Sequence, residues 1–163
     1  MNASSLKLLQ HRPMVYVGDI GSLVSYKEFV IPRQNKKIDV LLHDTAADTP
    51  IYKYGITSNI HRRICREHAK NFTRFDLKLL KEAYRNKYVE TLVTQELKQR
   101  NMLLELYSPH RKRLVRELFC FTDPTSQVDW FLDFMEDTIH KSRIIDDEIM
   151  DWNVLSRPEC LVK

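Results

Sequence analysis

The chain has 163 residues, 43% of them hydrophobic and 29% charged, with a formal net charge of +4. That make-up fits one globular domain with an ordinary core and does not suggest disorder. No apolar run approaches the roughly 18 residues of a membrane span. The N-terminus has too short an apolar stretch for a secretory leader. Cys65, Cys120 and Cys160 are odd in number and too scattered for a disulfide framework. An intracellular protein, cytoplasmic or nuclear and without a membrane partner, is expected. The charge is strongly segregated. Between Lys53 and Arg116 sixteen Lys/Arg face six Asp/Glu, whereas from Glu117 to Lys163 eleven acids face four bases. A basic core followed by an acidic tail suggests a polyanion-binding surface, the plainer reading being solvated helix faces.

In chain order, residues 4–11 suit a short helix that Pro13 ends. Met14-Val15-Tyr16-Val17 reads as a strand, Gly18-Asp19-Ile20-Gly21 as a turn, and Phe29-Val30-Ile31 could be another strand. Ile38-Asp39-Val40-Leu41-Leu42 and Ile51-Tyr52-Lys53-Tyr54-Gly55-Ile56, either side of a turn at Thr45 to Pro50, look like an antiparallel hairpin. Asn59 or Ser58 caps a helix running to about Lys70. Asp76 opens a second helix, with Leu77, Leu80 and Tyr84 at helical spacing, and a third runs from Tyr88 to about Asn101. Pro109-His110-Arg111-Lys112-Arg113 is a basic connection, and Arg116 to Phe121 is a strand. Ser126 caps a helix from Val128 to about Lys141, and Ile144 to Leu155 suits a further amphipathic helix. The expected fold is α/β (α+β): a small antiparallel or mixed β-sheet flanked by helices, with extra C-terminal helices, in one domain.

The stretch from Tyr52 to Asn59, followed by Ile60-His61-Arg62-Arg63-Ile64, carries the most information. A strand delivers Gly55 into a Thr/Ser/Asn turn, and a helix behind it presents a row of arginines suited to phosphate oxygens. This resembles the second half of the signature of the GIY-YIG nuclease superfamily: aromatic-or-Lys, apolar, Gly, small, then Asn-apolar, then an Arg on the next helix. The likeness covers residues 38–121, or 14–121 with an insertion at 18–50 if the first strand is Met14 to Val17. Residues 122–163 are then an acidic helical extension. The resemblance implies phosphodiester hydrolysis of DNA (or RNA), with one Mg2+ or Mn2+ ion.

In that family a first-strand Tyr helps activate water, a second Tyr or Lys assists, an Arg on the first helix stabilises the phosphoryl charge, and a Glu on a later helix holds the metal. Arg63 matches the Arg, and Lys53 occupies the second-Tyr position. Glu90, in Val89-Glu90-Thr91-Leu92-Val93, resembles the metal-binding Glu, with Glu96 as competitor. The strand at 38–43 carries no Tyr. Either Tyr16 on an earlier first strand is the base, or His43 does the work, or catalysis is lost. The family often has a His one turn after the Arg, yet Glu67 stands there and His68 comes one place late. Tyr52 and Tyr54 should face away from Lys53 by strand alternation, with Tyr54 in the core. Glu117, in Arg116-Glu117-Leu118-Phe119, belongs to a phrase that recurs in viral and phage relatives and reads as structural.

Arg62, Arg66, Lys70, Arg111, Lys112 and Arg113 are expected to contact nucleic-acid phosphates. His61, Cys65 and His68 have a spacing that zinc could use, without a second ligand pair elsewhere. The acidic C-terminal helices, through Trp130, Phe131, Phe134 and Trp152, offer a docking face for a protein partner. The leading expectation is a metal-dependent DNA endonuclease. The rivals are a catalytically inactive nucleic-acid-binding module and a protein-interaction domain.

Overall fold

The computed structural model describes residues 2–22, 50–72, 74–108, 112–121 and 124–155. In chain order the elements are α1 (Ala3–Leu8), β1 (Met14–Ser22), β2 (Pro50–Thr57), α2, β3 (Asp76–Glu82), α3 (Asn86–Gln99), β4 (Leu103–Ser108), β5 (Arg113–Cys120) and α4 (Pro124–Leu155). Helix α2 is composite: α-helical over Ile60–Arg62, π-helical over Arg63–His68 and α-helical again over Ala69–Asn71. The five strands form one antiparallel sheet in the order β3-β1-β2-β5-β4. The α+β expectation holds.

Strand alternation divides the core into two layers. On one face Val15, Val17, Tyr52, Tyr54, Leu79 and Phe119 pack under α3 and α4, which contribute Val89, Val93, Leu97, Phe131, Met135 and Ile139. On the other face Tyr16 and Met14 pack with Leu6 and Ile60, and Ile51, Leu118 and Cys120 pack with Phe72 and Leu104. Tyr54 is buried as expected, its hydroxyl 2.7 Å from Thr94 Oγ1. Burial pushes the Tyr54 phenol up to about 12 despite that bond.

Five expectations are corrected. Gly18 to Gly21, expected as a turn, continue β1 to Ser22, with a register shift between Asp19 and Gly21. The hairpin partner of β2 is β1, paired Tyr16 to Gly55 and Gly18 to Lys53. Residues 23–49 intervene, so the stretch expected as the first hairpin strand (38–42), the strand at 29–31 and His43 lie outside the described residues. The segment opened by Asp76 is strand β3, not a helix. It pairs with β1 around a bulge at Lys78, and Tyr84, which completed the helical spacing, lies beyond it and is exposed. A strand was missed at Leu103–Ser108: α3 ends at Gln99, and Asn101 at φ 56 turns the chain back into β4. The two C-terminal helices are one. No Gly or Pro interrupts Val128 to Leu155, and α4 runs unbroken from Pro124 to Leu155.

Candidate active site

The site is built on the face of β1 and β2 beneath α2. Tyr16 lies directly over Gly55, its register partner. A Cβ at Gly55 would stand 2.6 Å from the Tyr16 hydroxyl oxygen and 2.8 Å from Cζ. Only glycine leaves the ring that room. The glycine of the motif therefore accommodates the protein's own tyrosine. Gly18 does the same for Phe75, whose ring would sit 2.3 Å from a Cβ there. Phe75 in turn stacks on His68, with centroids 4.6 Å apart.

His68 is buried, and its Nε2 is 2.8 Å from the Tyr16 hydroxyl. Helix α2 reaches His68 through its π-helical turn. A π turn closes between residues i and i+5 rather than i and i+4, so one extra residue is absorbed between Arg63 and His68. His68 thus occupies the place that an i+4 residue has on a regular helix. Burial, reinforced by the charges of Lys53 and Arg63, drives the imidazole down to about 3 and keeps it neutral. The Tyr16 phenol is shifted well above its ordinary range, chiefly by burial, with Arg63 opposing and Glu117, Glu90 and Glu67 adding to the rise.

Lys53, Arg63, Glu67, His68, Asn71 and Phe72 line a pocket of about 240 Å³ together with Leu114, Val115, Arg116 and Glu117 from β5. Lys53 is almost wholly buried. Its Nζ donates to Glu117 Oε2 at 2.7 Å and to the Arg116 carbonyl at 3.1 Å. Burial disfavours its ammonium, and Glu117 pulls the other way. Arg63 donates through Nη1 to Glu67 at 2.8 Å, while its Nε is enclosed without an acceptor.

Glu117 reaches this pocket because β5 is bulged. Leu104 pairs with Leu118 and Leu106 with Val115, so Arg116 and Glu117 together face the single residue Glu105. Glu117 itself has φ 59, a left-handed conformation that costs a non-glycine residue about 1–2 kcal/mol. On a regular strand residue 117 would point away from Lys53, since Leu118 is paired with Lys53 and shares its face. Glu117, expected to be structural, places its carboxylate in the pocket as the ion-pair partner of Lys53. The signal was present in sequence only as an acid placed before an apolar strand, which does not reveal a bulge.

Glu90 sits on α3, half-buried and outside the residues lining the pocket. It nevertheless feels the same charges. Burial first and Glu117 second raise its carboxyl, while Lys53, Arg63 and the backbone N–H of Ile56 hold it down. Glu96 is turned elsewhere, paired with Arg100 at 2.8 Å. Among the sequence-derived candidates, then, Tyr16, Lys53, Arg63 and Glu90 share one electrostatic neighbourhood and Glu96 does not.

The flanking basic residues divide. Arg62, Arg66 and Lys70 lie exposed on α2, Arg62 with Glu67 at 3.4 Å. Lys112 is exposed before β5, Arg113 opens that strand, and Arg111 lies outside the described residues. The zinc spacing does not survive. His68 is committed to Tyr16, and among the described residues no three His, Cys, Asp or Glu side chains converge on one point. The tail aromatics divide between core and surface. Phe131 is buried against Phe119, and Trp130 stacks on Phe134 with Arg100 3.9 Å over its ring. The side chain of Trp152 lies outside the described residues. Comparison with protein-family models, curated proteins and solved structures finds no match to this chain.

Proposed function

We propose that the chain is a metal-dependent endonuclease that hydrolyses DNA phosphodiester bonds at a GIY-YIG-like site. One observation carries the reading: from four different elements, the Arg63 charge bears on Tyr16, Lys53 and Glu90 alike, and Lys53 and Glu90 bear on each other. Phosphodiester hydrolysis asks for that set, with cations for the developing phosphoryl charge, a proton acceptor and a carboxylate. A phosphate entering the pocket meets the Lys53 ammonium and the Arg63 guanidinium, whose Nε has no acceptor within the protein. The hydrogen bond to neutral His68 fixes the Tyr16 hydroxyl in the site. The Tyr16 oxygen polarises and orients the attacking water, whose proton passes to solvent. The water oxygen bonds to phosphorus and the ester oxygen leaves with the P–O electron pair.

Glu90 is one carboxylate of the kind that the implied metal would take. Mg2+ and Mn2+ favour oxygen ligands, and Mg2+ commonly takes one or two carboxylates, with waters and substrate phosphates completing its shell. Glu90 would hold the ion, which would supply positive charge to the phosphate oxygens. Exposed Arg62, Arg66 and Lys70 would hold the flanking backbone without reading its sequence.

A second reading, a nucleic-acid-binding module without cleavage, is favoured by one specific feature. The Tyr16 ring is enclosed, with only 2% of the residue exposed, and both pocket cations are already engaged by acids. Incubating supercoiled plasmid and a flapped oligonucleotide with Mg2+, Mn2+ or EDTA separates the two. Metal-dependent cutting is expected. Folded protein that cuts neither substrate but binds DNA in a salt-sensitive, metal-independent way would replace the nuclease reading with the second one.

A further inference from the structure

The geometry points to Glu117 as a positioning residue that holds the Lys53 ammonium at the phosphate subsite. Three features converge on it. The β5 bulge turns residue 117 onto the face of Lys53, when strand alternation would point it the other way. Glu117 adopts φ 59, a conformation kept only where the surrounding structure enforces it. Its carboxylate then lies 2.7 Å from Lys53 Nζ, with the neighbouring Arg116 carbonyl at 3.1 Å as second acceptor. Bulges often re-aim a side chain beside an active site. Here one bulge presents two acceptors to one ammonium.

The arrangement answers a specific difficulty. Lys53 rises from a central strand, its side chain is only 10% exposed, and a flexible four-carbon stem would otherwise let the ammonium leave the pocket for water. Glu117 is itself 43% exposed at the pocket, so its second carboxylate oxygen remains within reach of solvent. Its contribution is opposite for binding and for turnover. The negative charge opposes an incoming phosphate, yet the geometry it enforces keeps the cation where the phosphoryl charge grows. The catalytic consequence rests on the nuclease reading, whereas the positioning itself does not.

The test has two parts. In 15N-lysine-labelled protein, a held ammonium exchanges slowly enough to give a side-chain cross-peak, which Lys53→Met identifies by its loss. That peak is expected in the wild type and absent from Glu117→Ala and Glu117→Gly. The glycine variant suits the positive φ and so guards against mere misfolding. A Lys53 peak unchanged in both variants would overturn the assignment, whether or not the protein cuts DNA. In cleavage assays Glu117→Gly should lower kcat about 10- to 100-fold with KM unchanged or reduced. A purely structural residue would instead worsen both constants together, and an unaltered kcat would remove Glu117 from the reaction. Wild type that shows the ammonium peak but no cleavage would count against the nuclease reading alone and leave the positioning role supported.

Discussion

Replacing the Lys53–Glu117 pair should make the protein more stable while disabling the pocket. The perturbation is the double substitution Lys53→Met with Glu117→Gly. Glycine at φ 59 relieves about 1 kcal/mol of backbone strain. Methionine keeps the unbranched reach of Lys53 and removes a nearly buried ammonium. Exchanging buried ion pairs for apolar groups is often neutral or stabilising by about 1–4 kcal/mol. Because Glu117 is 43% exposed, the lower end applies. A net gain of about 1–2 kcal/mol is expected, raising Tm by about 2–8 °C for a chain of this size. The single variants should not add up to this. Glu117→Gly alone leaves the ammonium with only the Arg116 carbonyl, offsetting the strain relief, and the coupling should be about 1–2 kcal/mol. Urea unfolding of all four proteins provides the measurement. A double variant less stable than wild type by more than about 1 kcal/mol would refute the view that strain and burial are retained for function.

Further outcomes follow from the same site. His68 is held neutral at about 3 in the fold against 6.5 for the free side chain. Only the unfolded chain therefore gains a proton between those values, and the stability His68 contributes at neutral pH is lost as pH falls through 6.5 toward 3. Between pH 7 and pH 5 the loss should be about 2 kcal/mol. It should disappear in His68→Phe, and an identical pH profile in that variant would contradict the assignment. Gly55→Ala forces a Cβ to 2.6 Å from the Tyr16 hydroxyl, so it should destabilise by about 1–3 kcal/mol in denaturant titrations. Combining it with Tyr16→Leu should recover most of that loss, and no recovery would place the clash elsewhere. In filter-binding assays, Arg62→Ala and Arg66→Ala should each weaken DNA binding across all sequences and lower the salt slope by about 1. Unchanged slopes would remove α2 from the interface.

The sequence was most legible where local chemistry and tertiary position agree. Lys53, Tyr54 and Gly55 read correctly as a strand because alternation alone separates the buried Tyr54 from the face of Lys53 and Gly55. Asn59 read correctly as a cap, its Oδ1 accepting from Arg62 N at 3.0 Å. Legibility failed where pairing partners overrode local pattern. Leu77 and Leu80 match a helix as well as a bulged strand, and only hydrogen bonding to β1 selects the strand. Leu103 to Ser108 are strand because β5 lies beside them, a long-range fact that no window of sequence contains.

The site shows the same division. Arg63, Lys53 and Glu90 carry recognisable spacing, and Tyr16 was reachable as one alternative. The position of Glu117 beside Lys53 depends on a bulge, and that of His68 against Tyr16 on a π turn. Each is a one-residue irregularity that a sequence period cannot register.

The most direct test of the account is the rate of plasmid cleavage in Mg2+ or Mn2+ for wild type, Arg63→Ala and Glu90→Ala, each checked for an intact unfolding transition. The account predicts metal-dependent cutting by the wild type and a fall of about 100-fold or more in both variants. Folded variants that cut at the wild-type rate would contradict it.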